Sequence, residues 1–323
     1  QNDRIVQLFA CFLPVFYLVF HARMCYTGMD SKWVEEIIMG YVFLAISLLC
    51  GATKGYCGKR TSGHTERITD AVYANLLRML LCIVIGFFVV LFSGKQPALG
   101  VDAKTLAICL FSGLSTSVMA VSWLLAVKKG AYMLVDVFGM LGFTVPIVGS
   151  VVCFGEHVKP TQVFAMVLLI GATLVLCSYN NSIKAKLTLP AFFTLLLLCL
   201  SNGGIDFSQK LFTVYAPDVP TAVFNFYTYI FAFVFLIICL PFFKTPREAG
   251  GASAIHVLQP IFGYIGVMAI CLFLHSFTKT LAAHYLPSAV LYPLANGCAL
   301  MLSTGMAVLF FGEKLTVKCL CGV

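Results

Sequence analysis

Long apolar runs separated by short polar stretches dominate the chain. They predict helices at 34–53, 71–93, 105–127, 131–154, 161–178, 189–207, 221–243, 257–277 and 286–311. Each is close to the roughly 20 residues a helix needs to cross a hydrocarbon core of about 30 Å. Neither the two-residue alternation of a β-barrel nor a polar region large enough for an extramembrane domain interrupts them. Connections this short make sequence neighbours antiparallel neighbours in space. A further run at 5–20 (IVQLFACFLPVFYLVF) contains Pro14. It reads as a tenth spanning helix, an interfacial segment, or translated sequence upstream of a true start at Met24 or Met29. A cleaved signal peptide fits less well, because the flank before the run is weakly basic and no small-x-small site follows it.

Composition narrows the class. Of 323 residues, 60% are hydrophobic and 11% are charged, against about 25% charged in a typical soluble domain. A water-soluble enzyme is excluded, and an integral, multi-pass protein of the cell (plasma or inner) membrane is expected. The net charge of +8 comes from basic residues that stand singly or in pairs between apolar runs, so they read as topology signals and not as a nucleic-acid surface. The 14 cysteines include no CxxC pair and no His at metal-ligand spacing, which leaves them as reduced packing residues with no metal site and no cofactor implied. There is no Walker, Rossmann or EF-hand motif, which argues against ATP-driven pumping within the chain. There is also no GxSxG, HExxH or pair of aspartates for an intramembrane hydrolase, so no enzyme is expected.

The repeat search is the informative step. Phe154-Gly155-Glu156-His157-Val158 and Phe311-Gly312-Glu313-Lys314-Leu315 each close a long apolar helix, 157 residues apart. A weaker echo pairs Tyr56-Cys57-Gly58-Lys59 with Phe207-Ser208-Gln209-Lys210 at an offset of 151. Five spans separate the copies, and an odd number per repeat forces the halves to insert in opposite directions. The expected fold class is therefore all-α: a polytopic membrane helix bundle of two inverted five-helix repeats. The first repeat occupies 31–182 and the second 183–323, after an N-terminal extension or extra membrane segment at 1–30; the divide falls in YNNSIKAKLT (179–188).

An apolar fourth helix running into FGE in each half resembles the EamA-type branch of the drug/metabolite transporter superfamily, over residues 34 to 323. The resemblance implies ten helices and alternating-access export or exchange of small metabolites. It also implies a tenth helix that this sequence lacks after LTVKCLCGV, and a truncated reading frame accounts for that most simply. Orientation carries a conflict. Twelve Lys and Arg follow the odd-numbered spans (Lys54, Lys59, Arg60, Arg67, Lys128, Lys129, Lys184, Lys186, Lys244, Arg247, Lys314, Lys318). Seven lie on the other side (Arg23, Lys32, Lys95, Lys104, Lys159, Lys210, Lys279). The positive-inside rule then puts the 54–67 loop in the cytoplasm. The family implies the reverse, and a true span at 5–20 would reconcile the two; the charge count is preferred.

Ionisable groups within spans are costly, so they face protein or a water-filled cavity by default. Arg78, with Asn75 on the same face, could fix a carboxylate or phosphate, or serve as a structural ion-pair member. Asp136, one turn after Tyr132, could exchange protons near neutral pH or simply pair with Arg78. Asp206 and Asn202 flank Gly203-Gly204, where close backbone approach or a bend is expected. His275 in the eighth span reads as a hydrogen-bonded structural residue or a site group, and His284 as a weaker candidate. Trp123, Tyr292 and Asn296 could line an apolar cavity with a few convergent polar groups, and Pro293 would free a carbonyl near Asn296. Stripes of small residues, Ser47-Gly51-Gly55 and Ala295-Ala299-Ser303-Ala307, predict close helix contacts. Glu156 and Glu313 read as fold markers and not as substrate ligands.

The expected function is secondary active transport of a small metabolite such as an amino acid, with the bilayer as environment and a coupling proton and a homodimer both compatible. A proton-coupled multidrug exporter is the alternative within transport, disfavoured because Arg78 repels a cation. A membrane scaffold or membrane enzyme is the alternative of another class.

Overall fold

The computed structural model describes residues 31–64, 68–92, 99–128, 138–179, 189–243 and 258–311. Every regular element among them is helical. In chain order they are α1 (Ser31–Ser62), α2 (Ile68–Phe92), α3 (Ala103–Lys128), α4 (Thr144–Phe154), α5 (Pro160–Tyr179), α6 (Leu189–Tyr215), α7 (Thr221–Phe243), α8 (Phe262–Tyr285) and α9 (Ser288–Phe311), with a 3₁₀ turn at Gln259–Ile261 leading into α8. Six helices are long and apolar enough to cross a membrane: α1, α2, α3, α6, α7 and the stretch Gln259–Tyr285. Phe138–Phe154, Pro160–Gly171 and Ser288–Ser303 are shorter apolar stretches. Large apolar side chains such as Phe88, Phe92, Phe164, Val167, Ile238 and Phe242 point outward. Their contiguous exposure suits a lipid surface and would be an aggregation hazard in water. The protein is an integral membrane protein.

Local chemistry sets the helix ends. Asp102 caps α3, its Oδ1 accepting the Thr105 backbone N–H at 3.2 Å, and the Thr105 hydroxyl together with that backbone N–H holds its carboxyl below the ordinary range. Pro160 opens α5 as its first residue, and Gln162 Oε1 accepts the Lys159 N–H at 2.8 Å, half of a capping box. Gly155 terminates α4 in the left-handed region at φ 65°, its N–H bonding Val151 O while the Glu156 N–H reaches Ser150 O.

Three predicted boundaries move. The first span extends to Ser62, so Lys54, Lys59 and Arg60 are helical residues and not a loop. The sixth continues to Tyr215, which places Asp206 well inside it with Lys210 one turn on. The eighth continues to Tyr285, carrying Lys279 and His284 within it. In α6 and α8 no Gly or Pro follows the predicted end until Pro217 and Pro287, so the helix propagates through the polar residues; α1 runs on through Gly55 and Gly58 and ends only before Gly63. Lys54, Lys210 and Lys279 therefore leave the topology count, and the remaining basic residues divide eleven to five in the same sense. The fourth span is interrupted by a turn at Gly142-Phe143, and its predicted start lies outside the described residues.

Helix packing is reciprocal between the two parts of the chain. The most extensive contacts are α1 with α8 and α3 with α6; α2 and α7 pack on each other, α7 also on α3 and α8 on α2, while α4 meets α6 and α9 meets α1. Two core clusters follow. One joins Leu44, Leu48, Phe143, Ile147, Leu291 and Tyr292; the other joins Val72, Met79, Tyr229, Leu236 and Phe273. Small residues set the closest approaches. A Cβ on Gly142 would lie 2.9 Å from Cys199 O and 3.0 Å from Gly203 N, so α4 and α6 cross backbone to backbone. Ser47 and Gly51 face His275 as the first stripe predicts. Gly55 meets nothing within 4 Å, however, and Ala299 of the second stripe is exposed.

Candidate interior site

Polar side chains of six helices meet inside the apolar bundle. Asp206 on α6 is buried and receives a hydrogen bond and ion pair from Lys279 Nζ on α8 at 2.7 Å. Tyr292 on α9 donates its hydroxyl to the Asp206 backbone oxygen at 2.7 Å, and Lys279 Nζ lies 5.6 Å from the centre of the Tyr292 ring. One turn before Lys279, the Ser276 hydroxyl donates to Asn225 Oδ1 of α7 at 2.6 Å. It also accepts from Gln209 Nε2 of α6 at 3.4 Å. Tyr229 of α7 donates to Leu272 O at 3.2 Å. His275 Nδ1 donates to Ser47 O at 2.8 Å and Ser47 Oγ donates back to His275 O at 3.1 Å, clasping α8 to α1.

Two further cations approach this cluster. Arg78 sits ten residues into α2, about 15 Å along its axis, beside Cys82 and Tyr229. Lys54, one turn beyond Gly51 on α1, lies in electrostatic range of Arg78, Lys279 and Asp206. Protein surrounds both side chains, yet each keeps some accessible surface. Several polar atoms on these helices are buried without a hydrogen-bond partner: Arg78 Nε, Asp206 Oδ2, Gln209 Oε1, Thr228 Oγ1 and Asn296 Nδ2. An orphaned buried polar atom costs about 1–3 kcal/mol, so the orphans on Asp206 and Gln209, which belong to the network, suit a site that water or a solute fills.

The residues singled out from sequence separate accordingly. Arg78, Asp206, His275, Tyr292 and Asn296 lie at or around the interior cluster. Asn75 donates its amide to Ala71 O, four residues back in its own helix, at 3.0 Å. Asn202 donates to Gly139 O at 2.7 Å and ties α6 to the turn before α4. Trp123 packs against Ala126, Leu195 and Leu198. His284 is exposed, edge-on to Tyr285. Tyr132, Asp136, Glu313 and the run at 5–20 lie outside the described residues. Lys54 and Lys279 read in the sequence as loop charges, and Gln209, Asn225 and Ser276 do not stand out there as site residues. For Lys279 the signal was its four-residue spacing from His275, which one uninterrupted helix aligns.

The FGE motif acquires a physical meaning. Phe154 packs its ring against Phe207 and Tyr215 of α6 at 6.4 and 5.7 Å, and Gly155 supplies the left-handed cap. Glu156 pairs with Lys210 Nζ at 2.8 Å and accepts the Ser288 backbone N–H at 3.1 Å. It thereby joins α4, α6 and the start of α9, where Ser150 and Ser288 also bond hydroxyl to hydroxyl at 2.7 Å. Read as a fold marker, Glu156 is an interhelical tie.

No family model matches the chain, and no curated protein matches it. A solved structure, "Crystal structure of protein", is similar to it with a TM-score of 0.63 and 14% identity, over 89% of this chain and 92% of that one. At that identity the likeness concerns the fold alone.

Proposed function

We propose that the chain is a secondary carrier that moves a small polar metabolite by alternating access, the activity that resemblance to EamA-type transporters also implies. The observation that carries this reading is the convergence of Arg78, Lys54, Asp206 and Lys279 inside an apolar bundle. Charges at membrane depth are expensive and mark solute pathways. The reciprocal packing supports an inverted repeat: exchanging the first five helices with the rest maps α1–α8 onto α6–α3, α7–α3 onto α2–α8, and α4–α6 onto α9–α1. In such repeats the site lies at the interface of the halves, which rock around it.

Purified protein reconstituted into proteoliposomes tests the reading. Uptake of labelled amino acids, organic anions, sugars and a lipophilic cation is compared with that of empty liposomes. Saturable, protein-dependent flux of at least one polar class is expected; flux of none, with ligand binding also absent, would favour a scaffold. Flux confined to the lipophilic cation would favour the multidrug alternative.

A further inference from the structure

Among the described residues the charges around Lys54 and Arg78 do not balance; the buried carboxylate of α2, Asp70, lies in its first turn, two turns before Arg78. From α6 comes Asp206, neutralised by Lys279 of α8 at 2.7 Å. The other acid–base pair of these helices, Glu156 with Lys210, is closed on itself at the end of α4. Helix α7 offers Asn225 and Tyr229, α8 adds His275, whose Nδ1 is committed to Ser47, and α9 offers Tyr292 and Asn296. Among the described residues no carboxylate is paired with Lys54 or Arg78, and Arg78 Nε has no hydrogen-bond partner. Two cations thus remain within electrostatic range of each other in the space between α1, α2 and α8, each raising the cost of the other.

Resting on the carrier reading, we propose that this space binds a compact dianionic group, a phosphate monoester or a dicarboxylate, between Arg78 and Lys54. Arginine supplies a planar fork that matches either anion, and lysine adds a point charge. Two negative charges neutralise the pair, while a monoanion leaves one cation uncompensated. The same imbalance governs the cycle. An empty carrier must occlude two bare cations, so the loaded carrier reorients faster and net flux becomes anion exchange.

The test uses the full chain in detergent and in vesicles at pH 7.5. Thermal stability is measured with glucose 6-phosphate, glucose 6-sulfate, succinate, glucose and alanine. Glucose 6-phosphate or succinate is expected to raise the melting temperature saturably, and the singly charged sulfate ester is expected to bind at least tenfold more weakly than the phosphate. Lys54→Gln and Arg78→Gln should each weaken dianion binding at least tenfold, Lys54→Arg and Arg78→Lys should retain most of it, and Lys104→Gln at the exposed start of α3 should change nothing. Phosphate without succinate assigns a phosphate site, and the reverse a dicarboxylate site. Arg78→Met should also raise the melting temperature of the ligand-free chain, because it removes an unpaired buried charge; a fall would show that Arg78 has a structural partner, with Asp136 the candidate. Equal binding of sulfate and phosphate esters, binding untouched by the Gln variants, or no dianion binding overturns the proposal. Flux of alanine or glucose without dianion binding would sink the proposal and leave the carrier standing. Dianion binding without flux would leave the site standing and remove the carrier.

Discussion

Removing Lys279 alone should be among the most damaging single changes in the bundle. Its side chain is 7% exposed and that of Asp206 2%, and they meet at 2.7 Å. Asp206 Oδ2 already lacks a hydrogen-bond partner, so no donor among the described residues takes over the carboxylate when the ammonium goes. Stranding one member of such a pair costs about 3–5 kcal/mol, a factor of roughly 100 to 1,000 or more in the unfolding equilibrium, whereas replacing both with apolar groups of similar volume is close to neutral. Lys279→Met and Asp206→Leu are therefore each expected to destabilise by about 3 kcal/mol or more, and the double variant to return within about 1 kcal/mol of the parent. The Tyr292 hydroxyl bonds the backbone oxygen of Asp206 and not its carboxylate, so that contact survives every variant. Unfolding in mixed micelles, followed by the fluorescence of the two tryptophans, measures the cycle. Additive losses in the double variant would refute the reasoning, because they would mean that the two side chains stabilise the bundle through separate partners.

Five other variants probe the frame around the site. Gly155→Ala should cost about 1 kcal/mol; a Cβ there meets nothing within 4 Å, so the penalty comes from φ 65° alone and Gly155→Asn should cost less, as a thermal melt would show. Glu156→Ala should cost roughly 1–2 kcal/mol, discounted because the Glu156–Lys210 pair is partly exposed. Exchanging the pair as Glu156→Lys with Lys210→Glu should recover only part of it, since lysine cannot accept the Ser288 N–H. Gly203→Val should cost about 2 kcal/mol or more and weaken the Asn202 tie to Gly139, because its Cβ would press on α4; folded yield measures it.

Much of the architecture was legible because the bilayer imposes it. A span must be about 20 apolar residues, so the positions of α2, α3, α7 and α9 follow from hydropathy to within a few residues. The ends of α1, α6 and α8 were not legible that way, since hydropathy reports where a helix stops being apolar and not where it stops being helical. That distinction decides the chemistry. Lys54, Lys210 and Lys279 look like loop charges when the helix is cut at its last apolar residue, and they become interior or tied residues once it continues. Arg78 and Asp206 stood out because a charge inside an apolar run is conspicuous. Their partners did not, because pairing across 73 residues, as between Asp206 and Lys279, depends on which helices touch. The FGE repeat was visible as a pattern, but the tasks of its three residues emerge only where α4, α6 and α9 meet.

The proposed carrier cycle requires two halves to rock about the interior site, and side-specific access measures that most directly. In a chain with its 14 cysteines replaced, Asn296→Cys is treated with a membrane-impermeant thiol reagent in vesicles sorted to one orientation. The reagent is applied outside or trapped inside, with and without a bridge formed between Glu156→Cys and Lys210→Cys to hold α4 to α6. Alternating access predicts labelling from both faces in the unbridged protein and from one face only once the bridge is closed. Labelling from a single face whether or not the bridge is present would contradict it.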